Sequence, residues 1–160
     1  MIINFPKIII SLGIPFDPSP YIYTMSAEKA TWHTAREICD SKSNGQLLYF
    51  SSKEELDYVT NITLAEKDES FWIGLNDIKN EGQWKRADGQ IACYHGNWGA
   101  EEPNGVFKEN CAIIDNKKEI HDVPCETEQK RYICKQGQFF ILRNIFFALR
   151  TGVQQKRTNL

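Results

Sequence analysis

The sequence predicts an α+β domain, and three observations carry that reading. Two early segments place apolar residues at helical spacing. Short apolar runs of strand character accompany and follow them. Between the run ending at Leu75 and the run opening at Cys111 lies a stretch of roughly 35 residues rich in Asn, Gly, Asp and Glu. Helices grouped early and short strands placed around an irregular region, without βαβ alternation, define the α+β class.

Tyr21-Ile22-Tyr23-Thr24 alternates weakly and suits a strand, after which Ser26 can cap a turn. Trp32, Ala35, Ile38 and Cys39 recur on one helical face, with His33, Arg36, Glu37 and Asp40 opposite, and Asn44-Gly45 ends that helix. Gln46-Leu47-Leu48-Tyr49-Phe50 reads as a short strand. Ser52-Lys53-Glu54-Glu55 is a capping box that opens a second helix through Leu56, Val59 and Ile62. Phe71-Trp72-Ile73-Gly74-Leu75 is apolar enough to be a buried strand, and Cys111-Ala112-Ile113-Ile114 and Arg131-Tyr132-Ile133-Cys134 close the domain.

The chain has 160 residues, 41% of them hydrophobic, which suits one domain with a real core. Four Trp, nine Phe and six Tyr can bury too much surface for a disordered chain. With 19 Lys and Arg against 21 Asp and Glu, the chain lacks the basic footprint of a nucleic-acid binder, so no nucleic-acid partner is expected. No apolar run approaches the roughly 18 to 20 residues of a membrane-spanning helix.

Three segments emerge. Residues 1–20 form an N-terminal extension in which Lys7 precedes a short apolar run ending in Ser11-Leu12-Gly13, a poor match to a secretion signal. Residues 136–160 hold Arg143, Arg150, Lys156 and Arg157 and no acid, around a short apolar stretch. This basic apolar extension reads first as a helix packed on the domain or as a poorly ordered tail, and second as a helix lying on a membrane surface or a partner. Residues 21–135 are the domain itself, with 14 bases against 20 acids. An acidic surface of that kind suits a cation site, and equally a merely solvated exterior.

The five cysteines, Cys39, Cys93, Cys111, Cys125 and Cys134, include no Cys-x-x-Cys pair and no zinc-finger spacing. Buried intracellular thiols are one account of them. Asn61-Ile62-Thr63 is a glycosylation sequon and tilts the reading toward a secreted, extracellular glycoprotein, in which two disulfides leave one cysteine over.

A long loop inside a compact domain needs something to hold it, and is generally functional. Asp77, Glu81, Glu101, Glu102 and Glu109 supply oxygen ligands with few bases nearby. Oxygen-rich clusters without repeated His or Cys suit Ca²⁺, although no EF-hand loop is present. A calcium site and a plain polar loop both fit this composition.

The motifs narrow the choice. Trp72-Ile73-Gly74-Leu75, Glu81-Gly82-Gln83-Trp84, Asn97-Trp98, Glu102-Pro103-Asn104, Glu109-Asn110-Cys111 and Asp122-Val123-Pro124-Cys125 stand in the order and near-spacing of C-type lectin domains. Residues 21–135 thus resemble that family, without its early Cys-x-x-Gly-Trp element. The resemblance implies a C-type lectin-like fold, with two helices flanking short antiparallel strands and a long calcium-binding loop region. It also implies disulfides Cys39–Cys134 and Cys111–Cys125. By chain entropy, closing loops of those lengths contributes about 4.7 and about 3 kcal/mol. Cys93 is then a solitary buried thiol, or else a link between two chains in an oligomer.

By the same resemblance, Glu102, Asn104, Glu109 and Asp122 match the side-chain ligands of a primary calcium, and a cis peptide before Pro103 is expected. Two vicinal sugar hydroxyls would complete the ion's shell. Each would donate to a carboxylate and accept from an amide. Glu102 with Asn104 is the family's mannose-type arrangement, which also takes GlcNAc and fucose; Gln-Pro-Asp would mark the galactose type. The family's Trp-Asn-Asp appears here as Ile120-His121-Asp122, so an imidazole stands where an amide ligand belongs. Imidazole is a poor ligand for a hard cation, although His121 can still donate to a sugar oxygen. An auxiliary calcium site is incomplete: Asp77 and Glu81 match it and Glu109 is shared, but Gly105 and Asn110 occupy two acid positions. The function expected is that of a calcium-dependent lectin binding glycans or glycoproteins. The alternative is a protein-binding module of the same fold that has lost sugar binding. No nucleophile-elbow, zinc-protease, P-loop or dinucleotide motif supports an enzyme.

Overall fold

A computed structural model describes residues 20–63 and 70–137. Among these lie two α-helices and eight strands, ordered β1(Tyr21–Met25), α1(Trp32–Asp40), β2(Gly45–Leu47), α2(Lys53–Thr63), β3(Phe71–Asn76), β4(Lys85–Arg86), β5(Asn97–Trp98), β6(Cys111–Ile114), β7(Glu119–Val123) and β8(Arg131–Gly137). The apolar run of the C-terminal extension and the signal-like segment lie outside the described residues.

Both helices form where the apolar spacing places them, but each stripe is narrower than the sequence suggests. Helix α1 is capped by Thr31, whose side chain accepts from the Thr34 amide, and it buries Trp32, Ala35 and Cys39. Ile38 is 39% exposed, because it lies about 90° around the helix from the centre of that stripe. In α2 the stripe is Leu56, Val59 and Thr60, and Ile62 is 53% exposed for the same reason. The cap of α2 is also offset. Ser52 Oγ accepts from the Glu55 amide at 3.3 Å, but the Glu55 carboxylate returns to the Ser51 amide at 2.7 Å, one residue before the expected partner.

That offset has a cause across the sheet. Glu55 Oε1 lies 2.5 Å from Lys135 Nζ and accepts from the Tyr23 hydroxyl at 2.6 Å. Lys135 is fully buried, and its ammonium stands 4.1 Å and 4.3 Å from the ring centroids of Tyr21 and Tyr49. An ion pair thus ties the start of α2 to β8.

The sheet runs β1-β8-β3-β6-β7-β5, with β2 also on β8 and β4 on β3. It is mixed: most pairs are antiparallel, as expected, while β3 with β8 and β5 with β7 are parallel. The strand expected at 46–50 ends at Leu47, because the chain there turns toward Gly74. The Gly74 amide donates to the Leu48 carbonyl. A Cβ on residue 74 would stand 2.6 Å from the Leu47 carbonyl oxygen, so only glycine permits this approach.

Strand β7 is an element the sequence reading did not assign. Its burial alternates, with Ile120 and Asp122 inward and Glu119, His121 and Val123 only partly covered. One of its two inward residues is an aspartate, which erases the period-two apolar signal. Asp115 closes the β6–β7 hairpin, its Oδ1 accepting from the Lys117 and Glu119 amides at 2.9 Å each.

Cys39 is bonded to Cys134 and Cys111 to Cys125, with Cα separations of 5.3 Å and 5.2 Å. All four pack in one core with Trp32, Trp72 and Leu47. Cys93 is exposed rather than buried. The chain alternates there, turning Ala92 into the core and leaving Ile91 77% exposed on the other side. The long loop is pinned by Ala92 and by Trp84, Tyr94 and Trp98 against the second core. The Trp84 and Trp98 rings meet edge-on at 4.7 Å.

Candidate functional site

The end of β3, the turn after β5 and the inner face of β7 converge on one cluster of oxygen donors. Asp122 lies at its centre, 4% exposed. Its Oδ1 accepts from the Asn104 amide at 3.0 Å and its Oδ2 from the Gly105 amide at 2.8 Å. These bonds fasten the loop carrying Glu102-Pro103-Asn104 to the sheet, and the Glu102–Pro103 peptide is cis. Glu102 Oε1 accepts from Asn104 Nδ2 at 3.1 Å and lies 3.3 Å from His121 Nδ1. Glu102 Oε2 is buried without a hydrogen-bond partner.

Glu109 folds against Gly105, where any Cβ would overlap the glutamate side chain. The Gly105 that departs from the family's auxiliary acid therefore makes room for Glu109. Asp77 continues β3, 3% exposed; its Oδ2 accepts from the Gly82 amide at 2.8 Å, and its Oδ1 is buried and unpartnered. Glu81 is exposed nearby.

The titration behaviour shows these groups sensing one another. Burial pushes Glu102 above the usual carboxylate value, and the neighbouring Asp122 carboxylate pushes it further, against a smaller lowering by His121. Glu109 is raised by burial and then by the charges of Asp122 and Glu128. Asp77 is raised mainly by burial, and Glu81 by burial and the charges of Asp77 and Asp122. Asp122 goes the other way: burial would raise it, but the neighbouring Glu102 carboxyl and hydrogen bonds from the Asn104 and Gly105 amides hold it low. Asp122 thus acts on every other carboxylate of the cluster.

Among the described residues, the Lys and Arg ion pairs engage Asp40, Asp88, Asp57, Glu128 and Glu55 instead of this cluster. Partly desolvated carboxylates, two with buried oxygens that have no hydrogen-bond partner and none answered by Lys or Arg among the described residues, fit a hard divalent cation. Glu102, Asn104, Glu109 and Asp122 are the residues that would hold it, with Asp77 and Glu81 beside them.

His121 sits at the edge of the cluster, its ring against Gly99. Its Nε2 lies 3.3 Å from Asp115 Oδ2. Asp115 and Glu119 were missed as site residues, since nothing in the sequence brings them to His121 until β7 is recognised as a strand. Asn61 is exposed on α2, and its Oδ1 accepts from Lys118 Nζ at 2.9 Å. No helix among the described residues is long and apolar enough to cross a membrane.

Residues 28–136 match the family described as Lectin C-type domain. The chain is 32% identical over 116 residues to the perlucin-like protein of Mytilus galloprovincialis, an alignment covering 70% of this chain and 74% of that protein. It is 30% identical over 120 residues to the mouse C-type mannose receptor 2, covering 73% of this chain but only 8% of that much longer receptor. In structure it is similar to the carbohydrate-recognition domain of the mouse scavenger receptor C-type lectin. The TM-score is 0.68 at 30% identity, over 76% of this chain and 92% of that one. The family is a non-enzymatic binding fold whose members generally bind calcium. The two disulfides, the mixed sheet, the tryptophan-pinned loop and the matched sequence together place this chain in the C-type lectin domain family.

Proposed function

We propose that this protein is a secreted, calcium-dependent lectin of the mannose type, binding glycans that present vicinal hydroxyls as mannose, GlcNAc and fucose do. The observation that carries the reading is the buried, unpartnered Glu102 Oε2 beside the Asn104 amide, with Asp122 holding both residues' loop in place. Calcium bound among Glu102, Asn104, Glu109 and Asp122 would supply the electrophilic positions that the hydroxyls fill. Glu102 accepts a hydroxyl proton and Asn104 Nδ2 donates to the same hydroxyl pair, so the loop reads donor and acceptor together. The Asp122 carboxylate keeps the geometry of both by accepting hydrogen bonds from the Asn104 and Gly105 amides. Asp77, Glu81 and Glu109 form a second, incomplete calcium site, short of acids at Gly105 and Asn110. The exposed Asn61 carries the glycan of a secreted form.

The second reading, a protein-binding module that has lost sugar binding, is favoured by one contact: His121 occupies Glu102 Oε1, the acceptor a sugar would use. Titrating methyl α-mannoside calorimetrically, in calcium and after chelation, separates the two. The lectin reading expects binding heat in calcium that chelation abolishes. A folded, calcium-loaded protein giving no heat with mannoside, GlcNAc or fucose would overturn it and support the second reading.

A further inference from the structure

We propose that Asp115, Glu119 and His121 form a site for a divalent transition-metal ion, Zn²⁺ by their ligand set, on the outer side of the β6–β7 hairpin. One ligand atom from each lies within 4.8 Å of the others. Ligands of a tetrahedral zinc, about 2.0–2.2 Å from the ion, stand roughly 3.3–3.6 Å apart. His121 Nε2 and Asp115 Oδ2 already meet that spacing at 3.3 Å, and Glu119 has to close on them from within 4.8 Å.

The hairpin organises the three groups. Glu119 and His121 are two residues apart in β7, so they leave the strand on the same face, opposite the buried Ile120 and Asp122. Asp115 Oδ1 is consumed by the Lys117 and Glu119 amides, which leaves Oδ2 turned to His121. Lys118 is drawn away toward α2, with its ammonium 2.9 Å from Asn61 Oδ1 and 3.8 Å from Asp57 Oδ1.

A contact from outside the triad points to metal rather than to a simple acidic patch. His121 Nδ1 lies against Glu102 Oε1 at 3.3 Å. A ligating imidazole ordinarily hands its other N–H to a carboxylate, which fixes the tautomer and the ring orientation. With Glu102 in that role, Nε2 is the free lone pair, and it faces Asp115. One imidazole nitrogen with two carboxylate oxygens selects zinc over calcium, and it leaves a fourth position for water. The site does not depend on sugar binding, since Asp115 and Glu119 belong to neither calcium set.

The test is calorimetric titration of Zn²⁺ into the full chain in saturating calcium, so that the calcium carboxylates are occupied. It uses a Cys93→Ser background, so that the exposed thiol cannot supply a ligand. One zinc per chain is expected, with affinity falling roughly tenfold or more in Asp115→Asn and in Glu119→Gln. Among the described residues the Glu119 carboxylate makes no hydrogen bond or ion pair, so Glu119→Gln carries the test even if Asp115→Asn disturbs the turn. No zinc binding, or binding as tight as the parent's in both folded variants, would overturn the proposal, and neither result would alter calcium-dependent retention on mannan.

Discussion

His121 Nδ1 stands 3.3 Å from Glu102 Oε1, the oxygen that also accepts the Asn104 side-chain amide at 3.1 Å. In the proposed lectin, that oxygen is the one a sugar hydroxyl must reach. In that reading the imidazole competes with the sugar for Glu102 and withholds an oxygen ligand from the cation.

Replacing His121 by Asn should relieve both effects. The amide supplies an oxygen to the cation and no longer occupies Glu102, so calcium affinity should tighten about tenfold and mannoside affinity should rise with it. Calorimetry of both proteins reads the change directly. Unchanged calcium affinity in His121→Asn would mean that residue 121 does not face the primary site.

The carboxylate cluster makes stability depend on pH in two separate windows. Glu102 and Glu109 titrate above their ordinary value of 4.5, raised chiefly by burial. The folded chain thus binds protons there more readily than the unfolded chain, and without calcium it gains stability as pH falls through their raised folded values toward 4.5. Asp122 and Glu55 are held below their ordinary 3.8 and 4.5. The stability they contribute is present above those values and is lost only as pH falls through their lowered folded values. Without calcium, the melting temperature should therefore rise on mild acidification and fall in stronger acid. Saturating calcium, which binds the ionised forms, should remove the rise. A steady fall from neutral pH without calcium would contradict the clustering.

The sequence already showed both helices, the buried strand at Phe71–Leu75, and the residues that gather around Asp122. What it hid follows from particular side chains. Strand β7 was invisible because Asp122 takes one of its inward positions. Asp115 and Glu119 consequently stayed unconnected to His121. The strand after Gly45 was overextended, since nothing local announces that Leu48 must meet Gly74. Cys93 reads as an apolar residue by type, yet it lies on the outward phase of a chain whose inward residue is Ala92.

Exchanging donor and acceptor at the recognition loop should change sugar choice. In Glu102→Gln with Asn104→Asp the ligand charge is conserved, so calcium should be retained while preference moves from mannose toward galactose. Competition of both monosaccharides for an immobilised glycan measures this. Equal mannose binding before and after the exchange would place sugar recognition elsewhere.

The buried pair of Lys135 and Glu55 should be costly to break. The Lys135 side chain is fully buried and that of Glu55 is only 12% exposed. Lys135→Met leaves the carboxylate without its partner, and a loss of about 3–5 kcal/mol is expected in chemical denaturation. Adding Glu55→Leu should recover much of that loss, because the orphaned charge is then removed as well. No recovery in the double variant would mean that Glu55 stabilises the fold through the Ser51 amide and Tyr23 hydroxyl rather than through the ion pair.

Retention on immobilised mannan tests the central claim most directly. The purified chain should bind in millimolar calcium, elute with a calcium chelator, and rebind when calcium is restored. Asp122→Ala, which frees the Glu102–Asn104 loop from the sheet, should pass through unretained. A chain that ignores mannan in calcium, or that stays bound through chelation, would contradict a calcium-dependent mannose-type site at Glu102, Asn104, Glu109 and Asp122.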